Sequence, residues 1–414
     1  ERWRRKLQAL RAYGYNYVRL QSYVYGPEYY DVADEVGLLV QSEMGLLGAW
    51  GGMSSWHGYQ WPKPTADNLP HLQAQWDLVV ERDACHPSAN LYCMSNELGR
   101  STDFARLAWS CYRRTKAAKP AAMVLWTDGG YHPDLPGDIV NHTVAAFSRE
   151  ELAALDKPLV EHEYRWWSSF PDVRLRPKYA GAVRPYAAEL AAAAATARGQ
   201  AHLLEACAAN SQRLQLAEAK AKMELMRRDQ PGLAGICHFN AMDTNPSPQG
   251  IVDEFYDPKL ATAQQWRQTN GDTVVLCSLA FDDRCWTAGR PASVKFMVSD
   301  WAHPPFQAPR LDWRLTCQGQ VLAGGELRFA AQPFTTVGAG QVDVVPPPRP
   351  DAAAALLEAT LSDGASRRRV TNRWAVWLFP PPSMPAGLGL YGPPLRTWAA
   401  RWTGNVSRGT PPKE

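Results

Sequence analysis

From Gly14 to Phe239 the chain repeats one alternation: a short apolar run, a break, an amphipathic stretch, and then the next apolar run. Seven apolar runs, near residues 17, 39, 92, 124, 140, 160 and 237, read as buried strands. The stretches between them carry helical spacing. Trp3, Leu7 and Leu10 share one face, with Gly14 as the predicted C-cap. Tyr29 to Val36 is predicted helical and closed by Gly37, and Asn68 to Ala84 presents Leu69, Leu72, Trp76 and Val79. Phe104 to Ala117, Arg149 to Leu155 and the Ala-rich region from Ala187 to Arg228 complete the helical set. Strands alternating with helices imply a parallel sheet, and so long a series implies a (β/α)8 barrel. The chain enters a helix directly after Glu1, so the barrel's first strand is expected upstream of residue 1.

The pattern changes near residue 270. Thr273 to Ala280, Ser293 to Val298, Leu311 to Cys317, Gln341 to Val345, Leu356 to Leu361 and Val370 to Phe379 read as strands separated by Gly, Pro and Asp. Helical periodicity persists only at Ala352 to Leu357. This is the pattern of an all-β, immunoglobulin-like sandwich. The expected organisation is a barrel over 1–268, a sandwich over 269–382 and a Pro/Gly-rich tail over 383–414.

Composition narrows the function classes. The formal net charge is +3 over 414 residues, with no basic cluster of the kind nucleic acid requires. The run Arg367-Arg368-Arg369 reads as a solvated strand end. No apolar stretch approaches the roughly 18 residues of a membrane span. Eight cysteines are scattered without a CxxC or a metal-ligand spacing. Cys93, Cys237 and Cys277 fall in predicted strands, where a thiol packs as a small hydrophobe. Cys277, Cys285 and Cys317 are the candidates for a disulfide. Of two formal glycosylation sequons, Asn141-His142-Thr143 overlaps a predicted strand and Asn405-Val406-Ser407 lies in the tail.

Two apolar runs end in a carboxylate: Leu91 to Asn96-Glu97, and Leu159 to Glu163-Tyr164. Carboxylates presented at strand ends of a barrel lie on its functional face. A pair so placed is suited to act on a glycosidic bond, one as acid/base and one as nucleophile. In the second run Glu161 competes with Glu163 for that role.

These segments carry a resemblance. Gly14-Tyr15-Asn16-Tyr17-Val18-Arg19, Tyr29-Tyr30-Asp31-Val32-Ala33-Asp34-Glu35-Val36-Gly37-Leu38-Leu39-Val40 and Glu43 resemble glycoside hydrolase family 2. So do Arg82-Asp83-Ala84-Cys85-His86-Pro87-Ser88 before Asn96-Glu97, and Lys157-Pro158 before Glu163-Tyr164. The match runs in order over residues 5 to 260. Asn372-Arg373-Trp374-Ala375-Val376-Trp377 resembles a strand of the sandwich that follows the barrel in some members. Members include β-galactosidases, β-glucuronidases and β-mannosidases. Members normally carry a jelly-roll and an immunoglobulin-like domain before the barrel, and neither is present in this sequence.

The resemblance implies a retaining glycosidase without a cofactor and with carbohydrate as partner; neither nucleic acid nor membrane is expected. It implies Glu97 as acid/base and Glu163, directly before Tyr164, as nucleophile. Asn96 is then expected to bind the sugar 2-OH, and Arg19 to pair with the nucleophile. Glu43 ends strand three, where some members use a glutamate for substrate or a metal. The histidine that often accompanies it downstream is absent, so no metal is assigned. Trp126, Trp166, Trp167 and His142 lie at or after strand ends and are candidates for sugar contact, as is Tyr164. His238 and Asn240 stand on strand eight where members commonly have a tryptophan, and Gln21-Ser22-Tyr23 lacks a histidine common there. The Asn-x-Lys signature expected of a β-glucuronidase is absent. A terminal β-galactoside is the first choice of substrate. The rival class is a non-catalytic carbohydrate-binding remnant; a transglycosylase using the same residues is a third reading.

Overall fold

Seven parallel strands form the frame of the first unit, in a computed structural model that describes residues 1–45, 65–98, 102–164, 167–230, 232–244 and 247–381. The strands are β1 (Tyr17–Arg19), β2 (Leu39–Glu43), β3 (Leu91–Cys93), β4 (Met123–Leu125), β5 (Val140–Asn141), β6 (Leu159–Tyr164) and β7 (Gly235–His238). They form two arcs, β1-β2-β3-β4 and β5-β6-β7. The arcs are joined through the loop after β4, where Gly129 N–H donates to Asn141 O at 2.9 Å. β7 ends one arc and β1 begins the other; no ladder pairs them among the described residues.

The helices are α1 (Arg2–Ala12), α2 (Pro27–Val36), α3 (Leu69–Arg82), α4 (Thr102–Ala118), α5 (Arg149–Ala154), α6 (Tyr186–Ala197), α7 (Leu204–Asp229) and α8 (Ala263–Asn270). Each of the first four buries one apolar stripe at three- and four-residue spacing: Leu7 and Leu10; Tyr29, Tyr30 and Ala33; Leu72, Trp76 and Val80; Phe104, Leu107, Ala108 and Cys111. These stripes share one core with Val40, Tyr92 and Val124 of the strands. The α3–α4 contact is fixed by Trp76 Nε1 donating to Thr115 Oγ1 at 2.7 Å.

Three details differ from the sequence reading. Gly14 is not the C-cap of α1; Tyr13 is, and Gly14 follows at φ +90°. A Cβ there would stand 2.4 Å from Asn270 O, so the close approach to the end of α8 excludes any side chain. The Ala-rich region is two helices, broken around Gly199 at φ +66°. Ala352 to Leu357 is not helical: it enters a strand, because its neighbours on both sides supply ladder partners.

The chain divides into two compact units after Val274. The second unit contains β8 (Thr273–Cys277), β9 (Cys285–Thr287), β10 (Ala292–Asp300), β11 (Pro309–Cys317), β12 (Gln320–Arg328), β13 (Thr335–Val344), β14 (Ala353–Asp363) and β15 (Arg369–Phe379). They form the sheets β13-β10-β8 and β12-β11-β14-β15-β9. Alternate residues of both sheets, among them Val294, Phe296, Leu311, Leu315, Leu357 and Trp374, meet in one apolar core. All eight cysteines are free, Cys277, Cys285 and Cys317 included. No described helix is long and apolar enough to cross a membrane. The tail over 383–414 and Asn405 lie outside the described residues.

Candidate active site

Arg19, at the end of β1, organises the strand ends. Its Nε donates to Glu43 Oε1 at 2.6 Å and lies 3.1 Å from Asp128 Oδ2. Its Nη1 donates to Glu163 Oε1 at 2.8 Å, and its Nη2 donates to Asn96 Oδ1. The Arg19 side chain is 6% exposed and bridges the two arcs. Although burial opposes its charge, Asp128 and Glu43 hold the guanidinium well above its ordinary value. A planar fork with fixed charge is suited to span several carboxylates at once.

Glu97 and Glu163 project from the ends of β3 and β6, and both have backbones in the left-handed region, at φ +48° and +41°. Non-glycine residues rarely adopt that conformation, and such strain gathers at functional sites. Glu163 owes its placement to an irregularity in β6: the pairing with β7 runs Glu161 to Ile236 and then jumps to Tyr164 with His238. Two residues, His162 and Glu163, stand out from the ladder, and such a bulge re-aims side chains. Glu97 is held by its own N–H donating to Asp128 O at 2.7 Å. A Glu97 oxygen, a Glu163 oxygen and a His162 ring nitrogen all lie within 4.8 Å of one another.

Asp128 and His162 belong to this cluster, and the sequence reading passed over both. Asp128 is fully buried, and its Oδ2 accepts from Gln41 Nε2 at 2.6 Å and Asn141 Nδ2 at 2.8 Å. Its Oδ1 meets His162 Nδ1. Burial raises the Asp128 carboxyl, but Arg19 and the His162 hydrogen bond outweigh it and hold the group below the usual range. His162 Nε2 lies 3.7 Å from Glu97 Oε1 and 3.8 Å from Glu163 Oε1. Burial lowers the imidazole, yet the hydrogen bond to Asp128 and the nearby Glu97 and Glu163 carboxylates push it up to about 9. The only sequence signal for either residue was position: Asp128 follows β4 as Glu97 follows β3, and His162 precedes the predicted nucleophile.

The remaining residues fall into three groups. Glu43 is 0% exposed, and both its oxygens are used by Arg19, Gln41 Nε2 and Ser22 N–H. Burial raises its carboxyl. Tyr164 turns away from the cluster; its OH donates to Lys222 O at 3.2 Å and its ring packs edge-on to Trp167. Trp126 and Trp167 are buried in the apolar core rather than open platforms. Trp166 lies outside the described residues. Glu161, the competing carboxylate, is bound by Thr143 Oγ1 at 3.0 Å and Val144 N–H at 2.7 Å, and does not join the cluster. Asn141 is buried on Asp128, which leaves its sequon inaccessible.

His142 stands beside the cluster on the β5 end, lowered by burial and by the His162 charge. His238 and Asn240 face elsewhere: they line a cavity of about 330 Å³ between β1 and β7, together with Tyr15, Tyr17, Arg19 and Tyr23. Among the described residues neither Glu97 nor Glu163 lines that cavity, which adjoins the cluster through Arg19 and through Tyr17, whose OH donates to Gln41 Oε1. His238 stacks with Tyr15 and lies against Trp167 and Trp266, and Tyr15 OH meets its Nδ1 at 2.7 Å. Burial lowers this imidazole to about 3.

Comparison with known proteins gives the same frame. Residues 1–181 match the family described as glycosyl hydrolases family 2, TIM barrel domain. A β-galactosidase of Vibrio cholerae serotype O1 is 30% identical over 132 residues, 31% of this chain and 12% of that protein. A β-galactosidase of Enterobacter cloacae is 28% identical over 173 residues, 41% of this chain and 15% of that protein. The exo-chitosanase CsxA of Amycolatopsis orientalis superposes with a TM-score of 0.52 at 15% identity, covering 91% of this chain and 46% of that one. The chain thus spans less than a sixth of the two curated relatives and about half of the structural neighbour. Residues 1–181 of this chain thus match the TIM-barrel domain of glycosyl hydrolase family 2.

Proposed function

We propose that the chain carries the catalytic centre of a retaining β-glycosidase, with Glu163 as nucleophile and Glu97 as general acid/base. The observation that carries this reading is the approach of a Glu97 oxygen to a Glu163 oxygen within 4.8 Å. Retaining enzymes hold their two carboxyl groups about 5–5.5 Å apart, whereas inverting ones leave about 6.5–9.5 Å for a water.

In this reading Arg19 holds Glu163 Oε1 and leaves Oε2 for attack on the anomeric carbon. The C–O bond to the leaving group breaks as Glu97 delivers its proton to that oxygen. The glycosyl ester on Glu163 is then opened by water, whose proton returns to Glu97. Both steps pass through a cationic sugar. The site suits that charge: two cations, Arg19 and His162, face the carboxylates of Glu43, Asp128, Glu97 and Glu163. Asn96, fixed by Arg19, is the proposed contact to the sugar 2-OH.

A terminal β-galactoside is the first substrate to test, since the curated relatives are named β-galactosidases. The experiment is hydrolysis of a panel of β-linked nitrophenyl sugars, glucosaminide and glucuronide included, by the folded chain, an upstream-extended chain and Glu163→Gln in each. Turnover that Glu163→Gln abolishes supports the reading. No turnover of any sugar by a folded extended chain sinks it in favour of a carbohydrate-binding remnant.

A further inference from the structure

The three atoms that meet at the centre of the cluster are all acceptors when His162 is neutral. Asp128 is an acceptor-only carboxylate, so its contact with Nδ1 fixes the ring proton there and leaves the Nε2 lone pair pointing at Glu97 and Glu163. Nε2 is buried and has no hydrogen-bond partner among the described residues, and the side chain is nine-tenths buried. Arg19 Nη1 already donates to Glu163 Oε1, but with Nε2 unprotonated no described donor lies between the ring nitrogen and the two carboxylate oxygens, and a cation placed there meets all three.

We infer that Glu97 Oε1, His162 Nε2 and Glu163 Oε1 form a transition-metal site that takes Zn²⁺. Their separations suit one ion. Zn²⁺ holds nitrogen and oxygen ligands at about 2.0–2.2 Å, which places tetrahedral donors roughly 3.4 Å apart. Here Nε2 stands 3.7 and 3.8 Å from the two oxygens and all three atoms lie within 4.8 Å of one another, so the carboxylates draw in toward the ring to close the shell. The fourth position is left to water. The support behind the histidine is also that of a metal ligand: a carboxylate on Nδ1 orients the ring and raises its basicity. Asp128 is itself fixed by Gln41 and Asn141. A third observation is Gly129, at φ +80°, where a Cβ would stand 2.6 Å from His162 Nε2 and 3.0 Å from Glu97 Cγ. A side chain at that position would crowd the space the ion needs.

The consequence rests on the glycosidase reading. A metal bound by both catalytic carboxylates leaves neither the attacking oxygen nor the proton donor available, so zinc is an inhibitor of this centre. A proton on Nε2 is the competing cation. The groups facing His162 are Asp128, His142, Glu97 and Glu163, with Arg19 beyond Asp128. Binding is therefore read at pH 8, where displacing that proton is less costly.

The test is calorimetric titration of the chelator-stripped full chain with Zn²⁺, repeated with Co²⁺ for its spectrum. Cys85, Cys207 and Cys285 are exposed thiols and are alkylated beforehand. The expected result is one tight site with a Co²⁺ spectrum lacking thiolate charge-transfer bands. His162→Phe and Glu163→Gln should each weaken it on the order of 100-fold, with folding verified by circular dichroism. The exposed-histidine control His71→Phe should leave it unchanged. Equal affinity in wild type and a folded His162→Phe, or in wild type and Glu163→Gln, overturns the site. In the activity arm, inhibition whose midpoint matches the binding curve supports the proposal. Hydrolysis indifferent to saturating zinc overturns it while leaving the glycosidase reading intact. Binding without hydrolysis of any sugar leaves the metal site standing and removes the glycosidase reading.

Discussion

Two histidines on adjacent strands, His162 on β6 and His238 on β7, sit in regions of opposite character. Around His162 the strand ends deliver carboxylates: Asp128, Glu97 and Glu163, with Glu43 behind Arg19. Around His238 the same frame delivers rings: Tyr15, Trp167 and Trp266. Both imidazoles lose water, yet one is pushed up to about 9 and the other down to about 3. Burial alone disfavours the charge in each case, and only the hydrogen-bonded carboxylates reverse it. The lesson is that neighbouring strands of one frame build an electrostatic centre and an apolar wall side by side, and that the partners of a histidine, not its depth, set its charge.

The sharpest way to break this comparison is to remove the cation that makes the charged region tolerable. Arg19→Met leaves Glu43, Asp128 and Glu163 without their shared partner. Stranding buried carboxylates costs about 3–5 kcal/mol. Thermal and urea unfolding of the first unit should show that loss, and any hydrolysis should vanish with it. Trp266→Ala in the aromatic region should cost a comparable ~3–5 kcal/mol through a cavity. The two are told apart by salt and pH, to which only the Arg19 variant's deficit should respond.

Titration separates the regions by sign. His238 has a folded value near 3, below the roughly 6.5 of an unfolded histidine. Its contribution is therefore present above pH 6.5 and lost as pH falls from 6.5 toward 3, by up to about 5 kcal/mol. His162 has a folded value near 9. Its contribution is full below pH 6.5 and is lost as pH rises through 9, about 3 kcal/mol in total. Unfolding curves collected with chelator across pH 4 to 10 should show His238→Phe flattening the acid limb and His162→Phe the alkaline one. Identical limbs in wild type and both variants would defeat the electrostatic contrast.

Sequence carried the frame further than it carried the centre. The strands announced themselves because each is an apolar run closed by turn residues, as at Leu38-Leu39-Val40 after Gly37. β12 escaped notice because Gln320–Arg328 is largely exposed and contains Gly324-Gly325; an edge strand needs no apolar face. The ends of β1, β3 and β6 drew attention to Arg19, Asn96, Glu97 and Glu163, which the structure brings together. Asp128 and His162 did not stand out, since their meaning is a contact between strands 34 residues apart in sequence. Burial likewise decided Glu43, Tyr164 and Trp126: a strand-end position does not say whether a side chain looks into the mouth or back into the core.

Gly129→Ala probes the boundary of the charged region with an intermediate effect. The backbone at φ +80° and the 2.6 Å approach to His162 Nε2 both oppose a methyl group. A loss of about 1–3 kcal/mol is expected from strain and displacement together. The ring of His162 is what must yield, so hydrolysis and zinc binding should fall more than stability does. A variant that loses stability but keeps both would place His162 farther from the glycine than the structure does.

The smallest effect should come from Tyr15→Phe. It deletes the OH that meets His238 Nδ1 and leaves the stacked rings in place. An unpaired buried acceptor costs about 1–2 kcal/mol, and the apolar wall around it should otherwise hold. Because Tyr15 lines the cavity beside the cluster and touches neither Glu97, Glu163 nor His162, the kcat of any hydrolysis should be unchanged, and the alkaline limb assigned to His162 should not move. A shift of that limb in Tyr15→Phe would mean that the two regions are electrostatically coupled across β6 and β7. The acid limb should also hold, because burial, which the phenylalanine leaves in place, is what keeps the His238 imidazole low.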